Sequence, residues 1–412
     1  MENLVGQLLR TAWRLMDLLF LAICLASSCN SSVFAQAGPA AGDITPAPRC
    51  AAASCNGELV YFGTHSEGAG QGIFAARFDA RSGKLTSLGL VAEIARPTWL
   101  VAHPKLPVLY SVSESGNDGH SEASVFSLGV DPATGALHVL SRMGSGGGGA
   151  THLAVDVVSK TLFVANYGTG QVSALPLHAD GSLGAVTSVQ THSGSGPTRR
   201  QASPHAHGVE VDPSHRFLLA PDLGADKVFI YHIDAGSHQL SPAEPPFAAV
   251  PPGSGPRHTA FHPGGRFVFL STELTAEVRS YSWNSRPGRM QLVQTLSTLP
   301  PDFNGQKSGG ELVVSRDGRY VYVSNRGEDT IVAFAVNART GELHEVQRIG
   351  SQGKVPWSFA FDPSGRWLLV ANETSSNVAV FQVNPATGAL TATSESLPVP
   401  KPVNVTFLAR KD

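Results

Sequence analysis

Arg200, His205 and His207 lie within one eight-residue stretch, Arg257 and His258 are adjacent, and Glu273, Glu311, Arg326 and Trp357 follow. A planar guanidinium holds two oxygens of a carboxylate, a phosphate or a developing oxyanion at once. An imidazole or carboxylate beside it can take or return a proton. A pocket of one charge sign would suit binding, whereas mixed Arg, Glu and His suit acid–base work. A covalent nucleophile is disfavoured, because the chain has no Gly-x-Ser-x-Gly elbow and its last cysteine is Cys55. His205-Ala-His207 has the look of a metal pair, but no third ligand stands at a diagnostic spacing, so no metal or other cofactor is expected.

These residues sit on a regular background. An apolar, β-rich segment ending in a small or polar residue appears seven times, at 59–64, 109–113, 162–166, 217–222, 267–272, 320–325 and 367–372. Successive copies end 47 to 56 residues apart. Before each copy except the first runs a strand, often closed by a turn such as His262-Pro-Gly-Gly-Arg266. After it comes a β-branched strand such as Thr330-Ile-Val-Ala-Phe334, then a turn such as Asp131-Pro-Ala-Thr-Gly135 and a weaker fourth strand. Four strands per repeat of this length are the signature of a β-propeller blade. The strands taken as innermost begin at Pro97, Ala150, Pro204, Pro256, Gly309, Pro356 and Pro402. The first apolar segment has no innermost strand before it, and the last innermost strand has no apolar segment after it. The C-terminal strand should therefore complete the first blade and remove the open edges. The reading is all-β: one seven-bladed β-propeller over 58–412, four antiparallel strands per blade, rather than an array of β-sandwiches.

In a propeller, the start of each innermost strand and the end of the next strand meet at one mouth of the central channel. The first column supplies His205, His207, Arg257, His258, Glu311 and Trp357; the second supplies His65, Glu114, Tyr167, Leu223, Glu273, Arg326 and Glu373. On a strand, His205 and His207 would share a face. Asn166, Asp222, Asn325 and Asn372 fit turn caps, and Arg257 and Arg326 could be structural partners of Glu273 or Glu311. If Arg257 and Glu273 face an open channel, substituting them should leave the melting temperature nearly unchanged. His103, His178, His238 and His344 fall in turns or outer strands and are expected at the surface.

Arg200-Gln-Ala-Ser-Pro-His205-Ala-His207 and Pro221-Asp-Leu-Gly-Ala-Asp-Lys227 resemble the seven-bladed lactonase family. So do Gly255-Pro-Arg-His258-Thr-Ala-Phe-His-Pro263, Thr272-Glu273-Leu274 and Ser324-Asn-Arg326-Gly327. That family includes the propeller-type 6-phosphogluconolactonases and the fungal carboxymuconate lactonizing enzymes. The likeness covers nearly all of the chain after residue 58, and it implies hydrolysis or cyclisation of lactones without an obligatory metal. Family site residues carry over to His207, Arg257, Glu273 and Arg326, with the choice between His205 and His207 open. The assignment takes His207 or Glu273 as base, Arg257 and Arg326 as clamp for the oxyanion or an anionic group, and Glu311 as orienter. His205, Arg200, Glu311, His258 and Trp357 are expected around a small-molecule lactone, sugar-type or otherwise anionic. The rival readings are a non-catalytic exported propeller that binds a ligand or protein, and a carboxymuconate-type cycloisomerase.

Composition bounds these readings. The 412 residues carry 30 Lys and Arg against 32 Asp and Glu, so the basic excess that grips nucleic acid is missing. With 42% hydrophobic and 15% charged residues, disorder by charge excess is excluded and a large core is affordable. Arg10 and Arg14 precede a short apolar run at 18–25, and small-residue sequence ends at Ala35. This reads as a signal peptide over 1–35, too short to span a bilayer, and implies export to the periplasm or medium. Cys29 offers a lipid-anchor alternative. Cleavage after Ala35 would leave Cys50 and Cys55 as a small disulfide in an irregular arm over 36–57. Export puts a phosphorylated sugar lactone in doubt, because the pentose phosphate pathway is cytosolic.

Overall fold

The computed structural model describes residues 57–66, 70 and 72–408. The signal peptide, Cys29 and the Cys50 and Cys55 pair lie outside the described residues. Seven four-stranded antiparallel sheets form the blades. Blade 1 joins Pro402–Phe407 to Glu58–Thr64, Ile73–Asp79 and Lys84–Ala92. Blades 2 to 7 are consecutive quartets over 100–144, 150–191, 210–249, 256–297, 309–350 and 356–398. The C-terminal strand closes the ring as the sequence implied: Val60, Tyr61 and Phe62 lie opposite Phe407, Thr406 and Val405.

The repeated apolar segments are the second strands. Phe267–Thr272 and Tyr320–Asn325 are buried along their whole length, because blades pack face to face and cover both sides. That is why these strands read as continuous apolar runs and not as an alternation. Their cores bridge neighbouring blades, as where Tyr322 meets Val370 and Phe381, or Val60 meets Leu369 and Val405. The turns between third and fourth strands lock into the same packing. Asp131 accepts from the Ala133 N–H and the Thr134 hydroxyl, and Gly135 takes a φ of 78°. The hydroxyl of Tyr61 in blade 1 then donates to the Gly135 carbonyl in blade 2 at 3.0 Å. Tyr110 does the same to Gly181 in blade 3, and Tyr322 to Gly388 in blade 7. The strand-end asparagines clasp blades at the other end: the Asn166, Asn325 and Asn372 amides donate to the carbonyls of Ser145, Thr298 and Ser351, each just past the preceding blade's last strand.

One irregularity recurs on the innermost strands and builds the channel. In blades 1, 3, 5 and 7 the ladder skips Val403, Thr151, Arg257 and Trp357, respectively, and in blade 6 the single Ser324 stands opposite Gly310 and Glu311. Each skip is a β-bulge, which re-aims a side chain next to a functional cleft. The bulged residue and its successor therefore both reach the channel, and Arg257 lies 3.0 Å from its own neighbour His258.

Two innermost strands differ from the expected starts. In blade 2 the regular strand is Leu100–Ala102, and in blade 4 it is Glu210–Val211, well after Pro97 and Pro204. Residues 205–207 make only one isolated bridge, Ala206 to Asp222, so the two-residue strand period does not govern His205 and His207.

Candidate functional site

Glu273, 4% exposed, follows the second strand of blade 5, and its carboxylate is the hub of one channel mouth. Oε2 lies 2.7 Å from Arg326 Nη2, 3.3 Å from Arg257 Nε and 3.6 Å from His207 Nε2, while Oε1 accepts from Arg200 Nη1 at 2.6 Å. The four partners come from three blades and a crossover loop. Arg326 follows the second strand of blade 6 and also donates to the Gly309 carbonyl. Arg257 is the bulge residue of blade 5 and is 1% exposed. His207 hydrogen-bonds through its backbone N–H to the Pro221 carbonyl in blade 4. Arg200 stands in a short turn, Arg199–Gln201, pinned by the buried Gln201 amide donating to the Leu223 carbonyl.

Electrostatics follow from this crowding. Burial alone would raise the Glu273 carboxyl, but Arg326, His207, Arg257 and Arg200 hold it well below the usual carboxylate range. Burial, then the charge on Arg257, keeps His207 well below the ordinary imidazole value, so the ring is neutral near pH 7. Burial and the adjacent Arg326 bring Arg257 down to about 10, still protonated at neutral pH. Three guanidiniums thus share one carboxylate, and the mouth keeps a surplus of positive charge facing a cavity of about 220 Å³. That volume suits a ligand no larger than a single sugar ring.

His207, Arg257, Glu273, Arg326, Arg200, His258 and Trp357 all line this cavity. The Arg326 guanidinium stacks over the Trp357 ring at 4.4 Å. His205 and Glu311 do not line it. His205 stacks on the Tyr167 ring at 4.4 Å with Nδ1 2.8 Å from the Tyr167 carbonyl oxygen, behind the mouth. His207 meets the same Tyr167 ring edge-on at 5.5 Å, and it is His207 that reaches the cavity. Glu311 lies deeper, with Oε1 2.9 Å from His258 Nδ1, and faces the opposite end of the channel. Of the structural pairings weighed for Arg257 and Arg326, both form with Glu273. Burial of Arg257 and Glu273 also overturns the expectation that substitutions here are thermally silent. His103 is buried rather than at the surface, its ring nitrogen accepting from the Lys105 and Leu106 N–H groups.

Sequence reasoning passed over Trp99, His152, Thr98 and Thr151. Trp99 and His152 stack at 4.1 Å, and His152 meets His258 edge-on at 4.6 Å, forming the floor between the two ends of the channel. The signal was available: each stands one or two residues after the presumed strand start, in register with Arg257 and His258. The cavity beyond this floor is larger, about 520 Å³, and is lined by Glu210, Glu311 and His152 with no Arg or Lys. It lacks the convergent guanidiniums that could stabilise an oxyanion, so the smaller mouth is the candidate active site. No three His, Cys, Asp or Glu side chains gather to hold a metal among the described residues.

Comparison with known proteins agrees with this geometry. Residues 59–407 match the model of the family described as Lactonase, 7-bladed beta-propeller. The chain is 34% identical over 354 residues to the 6-phosphogluconolactonase of Bacillus subtilis, covering 84% of this chain and 97% of that protein. It is 30% identical over 299 residues to the 6-phosphogluconolactonase of Formosa agariphila, covering 72% and 83%. The periplasmic gluconolactonase PpgL of Pseudomonas aeruginosa superposes with a TM-score of 0.80 at 37% identity, covering 85% of this chain and 99% of its own. With its ring closed by the C-terminal strand and matched from the first blade to the last, the chain belongs to the seven-bladed β-propeller lactonase family.

Proposed function

We propose that the protein is an exported lactone hydrolase that opens a sugar-type lactone at the arginine-lined mouth. The observation that carries the reading is the convergence of Arg200, Arg257 and Arg326 on Glu273 beside a neutral His207. The lactone carbonyl oxygen faces the Arg257 and Arg326 guanidiniums, which stabilise the charge that develops on it. His207 takes a proton from water as the water oxygen bonds to the carbonyl carbon. Collapse of the adduct breaks the ring C–O bond, and His207 returns the proton to the departing alkoxide. Glu273, 3.6 Å from His207 Nε2, stabilises the transient imidazolium. Glu273 itself is a poor base, since a carboxylate held this far below its usual range gives little driving force for proton transfer. The hydroxy acid formed ionises at neutral pH, so each turnover releases one proton.

A base held well below its ordinary value stays unprotonated into mild acid. The enzymatic rate, corrected for spontaneous hydrolysis, should therefore remain on its plateau as pH falls from 7.5 through 6.5 and drop only further into acid. A half-maximal rate at pH 6.5 or above would contradict His207 as base. Export rests on the basic, apolar and small-residue pattern of residues 1–35, and it is supported by the likeness to a relative described as periplasmic. Mass spectrometry of the protein from its native cells should find Gln36 at the N-terminus; an intact Met1 would overturn it.

A further inference from the structure

The mouth has a second wall of opposite character. Glu114 follows the second strand of blade 2, Glu373 that of blade 7, and His65 that of blade 1. Glu114 Oε1 accepts from the Asn117 amide at 2.6 Å and lies 3.5 Å from Arg96 Nη2. His65 stands between the two carboxylates, 3.9 Å from Glu114 Oε2 and 3.9 Å from Glu373 Oε1, and meets the Trp357 ring edge-on at 4.7 Å. Both gaps exceed hydrogen-bond length, and a hydroxyl placed to one side would bond to both ends of either gap. The neighbouring His65, together with the Thr374 hydroxyl 2.8 Å from Oε2, holds Glu373 below its usual range, so it is ionised at neutral pH.

The loop carrying Asn117 is held against the mouth by missing side chains. The Gly149 N–H donates to the Ser115 carbonyl, and a Cβ on Gly149 would fall 2.2 Å from Asn117 Oδ1. A Cβ on Gly168 would likewise fall 2.4 Å from the Gly116 carbonyl oxygen. The Gly-rich run at 146–149 is therefore what seats this loop, and Asn117 is preorganised before any ligand arrives.

Resting on the lactonase reading above, we infer that Glu114, with Glu373, sets substrate choice: this wall binds the hydroxyls of an uncharged polyhydroxy lactone and rejects one that carries a phosphate. Carboxylates, an amide and an imidazole accept and donate to hydroxyl groups. A phosphate monoester brings a charge of about −1.5 to −2 at neutral pH. Set against the carboxylates of Glu114, with the Arg96 guanidinium 3.5 Å away, and of Glu373, beside His65, it meets repulsion where a hydroxyl finds acceptors. The arginines of the opposite wall do not relieve this, because they converge on Glu273 and face the reacting carbonyl. The preference for an uncharged lactone is thus built by a repulsive element on blades 1, 2 and 7, separate from the chemistry on blades 4, 5 and 6.

The test compares kcat/KM for glucono-1,5-lactone and for its 6-phosphate ester in the parent, Glu114→Gln, Glu373→Gln and Asn117→Ala. The parent is expected to favour the unphosphorylated lactone. Glu114→Gln should raise the ratio of phosphorylated to unphosphorylated kcat/KM by about tenfold or more, as removal of a like charge at close range does. Glu373→Gln, which keeps the strand end intact, should move it in the same direction and serves if Glu114→Gln folds poorly. Asn117→Ala, which removes no charge, should raise KM for both lactones alike and leave that ratio unchanged. A parent that prefers the phosphate ester, or a ratio unmoved by both glutamine variants, would overturn the inference while leaving the lactonase reading standing. Hydrolysis of neither lactone would overturn the lactonase reading and this one with it.

Discussion

Glu273→Gln is expected to cost both turnover and stability. Its carboxylate neutralises Arg257 and Arg326, which are 1% and 8% exposed, and it also pairs with Arg200 on the rim. Breaking a buried ion pair by removing one partner costs about 3–5 kcal/mol, because the remaining charges stay buried without compensation. In a domain of this size that corresponds to a fall of roughly 4–7 °C in melting temperature. Turnover should fall roughly 10²–10³-fold, since the guanidiniums lose the anchor that aims them at the oxyanion. The sign of the pH dependence follows from the depressed carboxyl. The folded-state value lies below the unfolded one, so the contribution of Glu273 is fully present above the ordinary carboxylate value near 4.5 and is lost as pH falls through the folded value. The stability gap between parent and variant should hold constant from pH 5 to 8 and close in strong acid. His152, His207 and His258 are each buried and neutral, with burial as the main cause. Below pH 6.5 the unfolded chain binds protons that the folded chain does not, so the parent itself should lose stability from there downward. A Glu273→Gln protein that melts like the parent would show that the hub is not held together by charge.

Truncation after Val399 is the second large effect. The strand Pro402–Phe407 is the innermost strand of blade 1. Val403 is fully buried, and Val405, nearly so, belongs with Val60, Phe62 and Leu369 to the core across the seam between blades 7 and 1. Asn404 Oδ1 accepts from the Leu100 N–H, and the Thr406 hydroxyl donates to the Leu100 carbonyl, so the same strand ties blade 1 to blade 2. Burying each large apolar side chain contributes about 1.5–3 kcal/mol, and the strand Glu58–Thr64 loses a ladder partner besides. The total is comparable with the roughly 5–15 kcal/mol that separates folded from unfolded protein. Loss of a cooperative melt is the expected outcome in calorimetry. A truncated protein with the parent's transition would mean that the ring closes by some other contact.

Much of this was legible before any coordinates. The recurring second strands announced the blade count, because their burial on both faces makes them continuous apolar runs that turn residues punctuate. The orphan Pro402–Phe407 announced the closure, and the mouth could be assembled from strand ends alone. What escaped was decided by register. A bulge adds one residue without any mark in composition, so His152 reaches the channel unannounced, and at 205–207 no regular strand forms to impose the alternation that would place His205 and His207 on one face. Glu311 was misplaced for the same reason: it is the second of the two residues opposite Ser324 and drops one layer below Arg257. Burial of Arg257 was equally hidden, since a guanidinium reads as exposed until three blades are seen to enclose it. The role of the glycine run at 146–149 becomes apparent only when the Asn117 loop is seen lying across it.

Proton release on adding glucono-1,5-lactone, followed at constant pH for the parent and for His207→Gln, tests the central claim most directly. His207 is buried with Nδ1 unpartnered, so an amide in its place breaks no hydrogen bond of that nitrogen, and the two proteins should melt alike. The parent is expected to release protons far faster than the spontaneous reaction, and the variant to be slower by roughly 10²–10⁴-fold, the usual cost of losing a positioned proton-transfer group. A parent no faster than the uncatalysed background, or a variant that matches the parent, would contradict lactone hydrolysis at this mouth.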